Sequence, residues 1–213
     1  MKTYAIGPLM IGLLVSIFTS SSFAQQMDTR FIQYNRNVQL VKENNRTVMR
    51  FAEGKGAAVA WIDGLEFSAG TIEFEARGRD VLQKSFLGIA FHGIDSVTYE
   101  TVYFRPFNFQ ATDPVRKIHA VQYSFEPDFG FQELRNTQKD KFESAIVPAG
   151  ISPSDWFKVK VTVKGGMVRV FLNGSETPCM EVATLNSSPL GKKIGFWVGN
   201  LSNGDFAGLK LTK

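Results

Sequence analysis

The segment Trp156–Gly174, WFKVKVTVKGGMVRVFLNG, permits few folds. Phe157, Val159, Val161 and Val163 alternate with Lys158, Lys160, Thr162 and Lys164, so an extended chain carries the apolar set on one face and the polar set on the other. Gly165-Gly166 supplies the two positive φ angles of a two-residue hairpin turn. Met167–Leu172 is then the return strand and Asn173-Gly174 the next turn. A hairpin with one apolar face needs a second layer to cover it.

The rest of the chain repeats the pattern. Short period-two runs predict strands near Val38–Leu40, Thr47–Phe51, Ala57–Trp61, Ser68–Arg77, Phe86–His92, Thr98–Phe104, Ile118–Ser124, Cys179–Val182, Lys193–Val198 and Asp205–Thr212. In AGTIEFEARG, Ile72, Phe74 and Ala76 face inward against Glu73, Glu75 and Arg77. Strands spaced by about 8–14 residues and punctuated by Gly, Asn, Asp and Pro predict an all-β protein, a jelly-roll sandwich of two antiparallel sheets. The 19 phenylalanines are expected to fill its two-layer core. Only Gln132–Glu143, QELRNTQKDKFE, reads as a short helix or a long polar loop.

Compartment follows from the N-terminus and from cysteine usage. Lys2, the apolar run AIGPLMIGLLVSIF and the small-residue stretch TSSSFA have the layout of a secretory signal peptide, residues 1–24, cut after Ala24. The apolar run is shorter than the ~20 residues of a membrane span. Residues 25–213 are expected to form one exported domain, periplasmic or extracellular and bacterial, with no membrane span. The single cysteine, Cys179, excludes an intramolecular disulfide, so stability must come from the core. The net charge of +4 is spread among acidic residues rather than gathered in a stripe, which argues against nucleic acid as a partner.

Most catalytic chemistries lack their signatures. Only two histidines, His92 and His119, accompany Cys179, and no zinc-ligand spacing is present. No cofactor is indicated; Asp95, Asp113, Asp128, or Asp205 with Asn203 could hold Ca2+, but each reads more simply as a turn residue bonding its own backbone. There is no Gly-x-Ser-x-Gly elbow. Glu73 and Glu75 share a strand face, as a carboxylate pair would, but also as a solvated outer face would.

The stretch YETVYFRPFNFQ, Tyr99–Gln110, is more informative. As a strand ending before Pro106, it sets Val102 and Phe104 behind a row of Tyr99, Tyr103 and Arg105, with Asn108 in the loop beyond. Rings with hydroxyl tips beside a planar fork of donors suit sugars, which offer C–H faces and hydroxyl groups. HAVQYSFEPDFGFQELR mixes the same residue types, with Gln122 and Tyr123 as further contacts. Paired beside Tyr99–Phe104, it would lay a second polar-aromatic row about 4.8 Å away. The alternative for the Tyr99–Arg105 row is a cross-strand aromatic ladder with Arg105 salt-bridged to Glu100 or Glu126.

YETVYFRPFNF, HAVQYSFEPDFGFQELR, the hairpin ending in Val170-Phe171-Leu172-Asn173-Gly174, and GKKIGFWVGNLSNGDFAGLKL together resemble the concanavalin A-like lectin/glucanase superfamily, including laminin-G-like jelly rolls. Within it the chain is most similar to exported bacterial domains grouped with 3-keto-disaccharide hydrolases. The resemblance implies two curved sheets, with a saccharide bound on the concave face or its rim. The chain departs from the retaining glucanases of that superfamily in lacking their Glu-x-Asp-x-x-Glu strand. The leading expectation is a carbohydrate-binding domain using Tyr99, Tyr103, Arg105, Asn108, Gln122 and Tyr123. The alternatives are a glycoside hydrolase-like enzyme with Glu100, Glu126 and His119 as proton-transfer groups, and a structural interaction domain of the envelope. Oligomeric state is not encoded in any motif.

Overall fold

A computed structural model describes residues 30–188 and 191–213; the expected signal peptide lies outside the described residues. The strands are β1 (Phe31–Tyr34), β2 (Val38–Glu43), β3 (Arg46–Phe51), β4 (Ala58–Glu66), β5 (Gly70–Arg77), β6 (Leu87–Gly93) and β7 (Tyr99–Phe104). After them come helix α1 (Pro114–Ile118), β8 (Val121–Glu126), helix α2 (Phe131–Thr137) and β9 (Glu143–Ser144). The series ends with β10 (Phe157–Lys164), β11 (Met167–Leu172), β12 (Met180–Ala183), β13 (Lys193–Val198) and β14 (Gly204–Thr212).

The Gly165-Gly166 hairpin forms as its sequence predicts. Both glycines have positive φ, +61° and +73°, and Lys164 pairs with Met167, Val163 with Val168 and Val161 with Val170. This register puts the valines on one face, where they meet Ile72 and Phe74 of β5, the next strand. Sheet B runs β12-β11-β10-β5-β14-β3-β2, and sheet A runs β1-β4-β13-β6-β7-β8-β9. Every pairing is antiparallel, so the two-sheet sandwich is the observed architecture.

Rings bridge the sheets. Phe196 of β13 stacks on Phe206 of β14 at 4.4 Å between centroids, and Phe104 of β7 meets Phe157 of β10 edge-on at 5.3 Å. On the outer face of sheet B, Glu75 pairs with Arg46, and Arg77 pairs with Glu43 and Asp205. Glu73 and Glu75 thus lie on a solvated strand face, with Glu75 committed to an ion pair.

Helix α1 departs from expectation. Ile118 was expected to open a strand, but Asp113 caps the helix by accepting from the Arg116 N–H at 2.8 Å, and Pro114 occupies its first turn. His119 therefore sits at the helix C-terminus and not on β8. Among the described residues no helix is long and apolar enough to cross a membrane.

Candidate ligand cleft

Strand β7 is buried along its whole length, which distinguishes it from an ordinary outer strand. Its alternation sends Val102 and Phe104 into the core between the sheets, and Tyr99 and Tyr103 to the opposite face of sheet A. There they join Val59, Trp61, Ala90 and Trp197 in a second apolar cluster. Tyr103 and Trp197 are both paired with Gly88, so their rings meet over a residue without a side chain, 5.0 Å apart. A Cβ on Gly88 would lie 2.1 Å from the Val102 carbonyl oxygen, a separation no side chain tolerates. Trp197 Nε1 donates to the Tyr99 hydroxyl at 3.0 Å, and Phe86 packs edge-on against both Tyr103 and Phe107.

This aromatic sheet is the floor of a cleft of 790 Å³. Its walls come from the β5–β6 loop with Leu82 and Gln83, from the turn at Phe107 and Asn108, from α1 with Arg116, from α2 with Phe131 and Arg135, and from Asn200. Tyr99 and Tyr103 are each only 5% exposed, so the row expected to stand on an open face lies at the bottom of the cleft. Burial pushes both phenols up to about 12, and both keep their protons at neutral pH.

Arg105 continues the β7 row beyond the strand end and is held on every side. Its Nη1 donates to Glu143 Oε1 at 2.9 Å and to the His119 carbonyl at 3.0 Å. Its Nη2 donates to the Tyr103 hydroxyl at 3.1 Å and to Gln122 Oε1. The expected partners, Glu100 and Glu126, are replaced by Glu143 of β9, which also accepts from Arg135 at 2.9 Å. Gln122 Oε1 additionally accepts from the Tyr103 hydroxyl at 2.7 Å, and Gln122 Nε2 has no acceptor among the described residues. Exchanging the amide oxygen and nitrogen would set donors against donors, so this orientation is fixed. Asn108 donates to the His119 carbonyl and accepts from Arg116 Nε.

Two expected site residues face away from the cleft. Strand pairing sets Tyr103 opposite Gln122, so Gln122, Ser124 and Glu126 share the cleft face and Tyr123 takes the core face. Tyr123 is fully buried against Phe91 and Phe142, away from the cleft. Glu100 is also on the core side, where Tyr123 donates to its Oε2 and its Oε1 lies 2.9 Å from His92 Nδ1. His92, with φ +50°, breaks the alternation of β6 to reach it. Glu100 is therefore a core group and has no route to a ligand in the cleft.

Of the proton-transfer candidates, Glu126 and His119 line the cleft. Burial raises the Glu126 carboxyl above the ordinary carboxylate range, and the Ser124 hydroxyl at 3.3 Å opposes this only weakly. His119 Nε2 lies 3.1 Å from Asp140 Oδ1 and 3.5 Å from Glu143 Oε2. His119, Asp140 and Glu143 converge closely enough to hold a metal ion, but the guanidiniums already on Glu143 oppose a further cation. Three of the four carboxylates weighed for calcium have protein partners: Asp95 accepts from two backbone N–H groups of its turn, Asp113 caps α1, and Asp205 pairs with Arg50 and Arg77. Trp197, Arg116, Arg135 and Glu143 escaped the sequence reading. The Asp113-Pro114 helix-start signal would have located Arg116.

No protein-family model and no curated protein sequence matches the chain. Solved structures do. A Bacillus subtilis protein of galectin-like fold superimposes with a TM-score of 0.55 at 13% identity, covering 90% of this chain and 91% of its own. The fold is a two-sheet, galectin-like jelly roll. The carbohydrate-binding module CBM66 from Bacillus subtilis shares this jelly roll with a TM-score of 0.58 at 12% identity, over 85% of this chain and 95% of its own. The Ca2+-bound exoplasmic/lumenal domain of VIP36 does so with 0.54 at 11% identity, over 86% and 85%. At such identities the similarity is one of fold.

Proposed function

We propose that the chain is an exported carbohydrate-binding domain whose ligand occupies the cleft on the outer face of sheet A. The observation that carries this reading is the juxtaposition of the Tyr99–Trp197–Tyr103 floor with Arg116, His119 and Glu126 on the walls of one 790 Å³ cleft. Rings take the C–H face of a sugar, and the wall groups take its hydroxyls. The likeness in fold to a carbohydrate-binding module supports the same ligand class, and the signal-peptide layout of residues 1–24 supports export.

Hydrolysis of a disaccharide, oxidised or not, has less support. Two carboxyl groups must flank a scissile bond. Among the described residues Glu126 is the one carboxylate lining the cleft; Glu100 is on the core side, and Glu143 is held by two arginines.

Tryptophan emission titrated with a panel of neutral and acidic oligosaccharides tests the reading. A saturable change is expected that Trp156→Phe retains and Trp197→Phe abolishes, with affinity weakened by Tyr103→Ala. A panel in which no saccharide produces a saturable change in the intact protein overturns it.

A further inference from the structure

We propose that the saccharide is an acidic one, and that Arg116 receives its anionic substituent, a uronate carboxylate or a sulfate ester. This deepens the saccharide reading above and rests on it. Among the described residues three guanidiniums, those of Arg105, Arg116 and Arg135, line the cleft against one carboxylate, Glu126. Arg105 and Arg135 converge on the same oxygen of Glu143, each at 2.9 Å, so two cations share one counter-charge.

Arg116 has none. Its Nε donates to Asn108 Oδ1 at 3.1 Å and its Nη2 to the Phe107 carbonyl at 2.6 Å, both neutral acceptors. These two bonds fix the guanidinium plane without offsetting its charge, and Nη1 has no acceptor among the described residues. The other basic group nearby, His119, is turned to Asp140. Glu126 accepts from the Ser124 hydroxyl at 3.3 Å and forms no ion pair with Arg116. A guanidinium held in place and left uncompensated offers a fork that matches carboxylate and sulfate geometry. Arg116 is exposed at the cleft wall, so a neutral sugar leaves its charge to solvent, whereas an anionic one pairs with it directly.

The test is isothermal titration calorimetry at low salt with three matched oligosaccharides, one neutral, one containing a uronic acid and one sulfated. At least one acidic ligand is expected to bind about tenfold more tightly than the neutral one, the effect of a single charge-assisted contact. Added NaCl should shrink that ratio in the unmodified protein. Arg116→Gln should bring the ratio close to unity, and Arg116→Lys, which keeps the charge and loses the fork, should leave it between the two. The stronger acidic ligand distinguishes carboxylate from sulfate. Equal affinity for all three, or an acid preference insensitive to both salt and Arg116→Gln, overturns the proposal and leaves the saccharide reading standing. Binding of none of the three overturns both.

Discussion

Arg105 reaches across β8 to Glu143, Nη1 to Oε1 2.9 Å, passing over Gln122, and the two side chains are only 5% and 3% exposed. One guanidinium thus ties three adjacent strands together at the base of the cleft. The role these contacts give it is structural. Arg105→Ala should cost about 3 kcal/mol of stability, because the Gln122 oxygen and the Tyr103 hydroxyl lose a buried donor and Glu143 loses one of its two guanidiniums. Urea denaturation followed by circular dichroism measures it, and an unchanged midpoint would contradict the ion pair.

Glu100 has a separate fate. As a core group between His92 and Tyr123, it should matter for folding and not for ligand binding. Glu100→Ala is expected to destabilise by about 3 kcal/mol, the cost of breaking a buried hydrogen-bonded pair. Glu100→Gln, which retains the shape, should cost less and leave saccharide affinity as it was. Calorimetric binding of the Gln variant separates the two roles.

Glu126 should make stability fall as pH rises. Its folded carboxyl titrates above the unfolded one, so between those two values the folded state holds the extra proton. Stability contributed by the protonated form is complete below the ordinary carboxyl value of about 4.3 and is lost on passing the raised one. Glu126→Gln should therefore raise the melting temperature at pH 7, and the gain should close as pH falls towards 4. Thermal melts across that range read the difference directly.

Cys179 should be inert while the chain is folded. Burial pushes its thiol up to about 11, and its Sγ faces the Val170 carbonyl at 3.4 Å. Iodoacetamide at pH 8 is expected to label the protein only after denaturant is added. Stoichiometric labelling in native buffer would show that the β11–β12 edge opens readily.

The sandwich was legible because alternation is a local property. The Lys-Val repeat of β10 and the Gly165-Gly166 turn need no distant residue to be understood. The Tyr99, Tyr103 and Arg105 row was legible for the same reason. Tyr123 was misplaced because a strand's alternation says which residues share a face and not which face is inward; its pairing, Tyr103 with Gln122, decides that. Glu143 was hidden because β9 has two residues, too few to show a period. Arg116 and Arg135 enter the cleft from short helices packed over sheet A, and no repeat along the chain connects them to Tyr103.

Gly88 has a consequence for how such a protein can change. With the Val102 carbonyl where a side chain would begin, the depth of the cleft belongs to the backbone, and no single substitution there can make it gradually shallower. The rim is free by comparison, since Leu82 and Phe131 are 57% and 48% exposed. Selection for a larger or smaller occupant would therefore act on loops and helix ends, while the aromatic bed stayed constant beneath them.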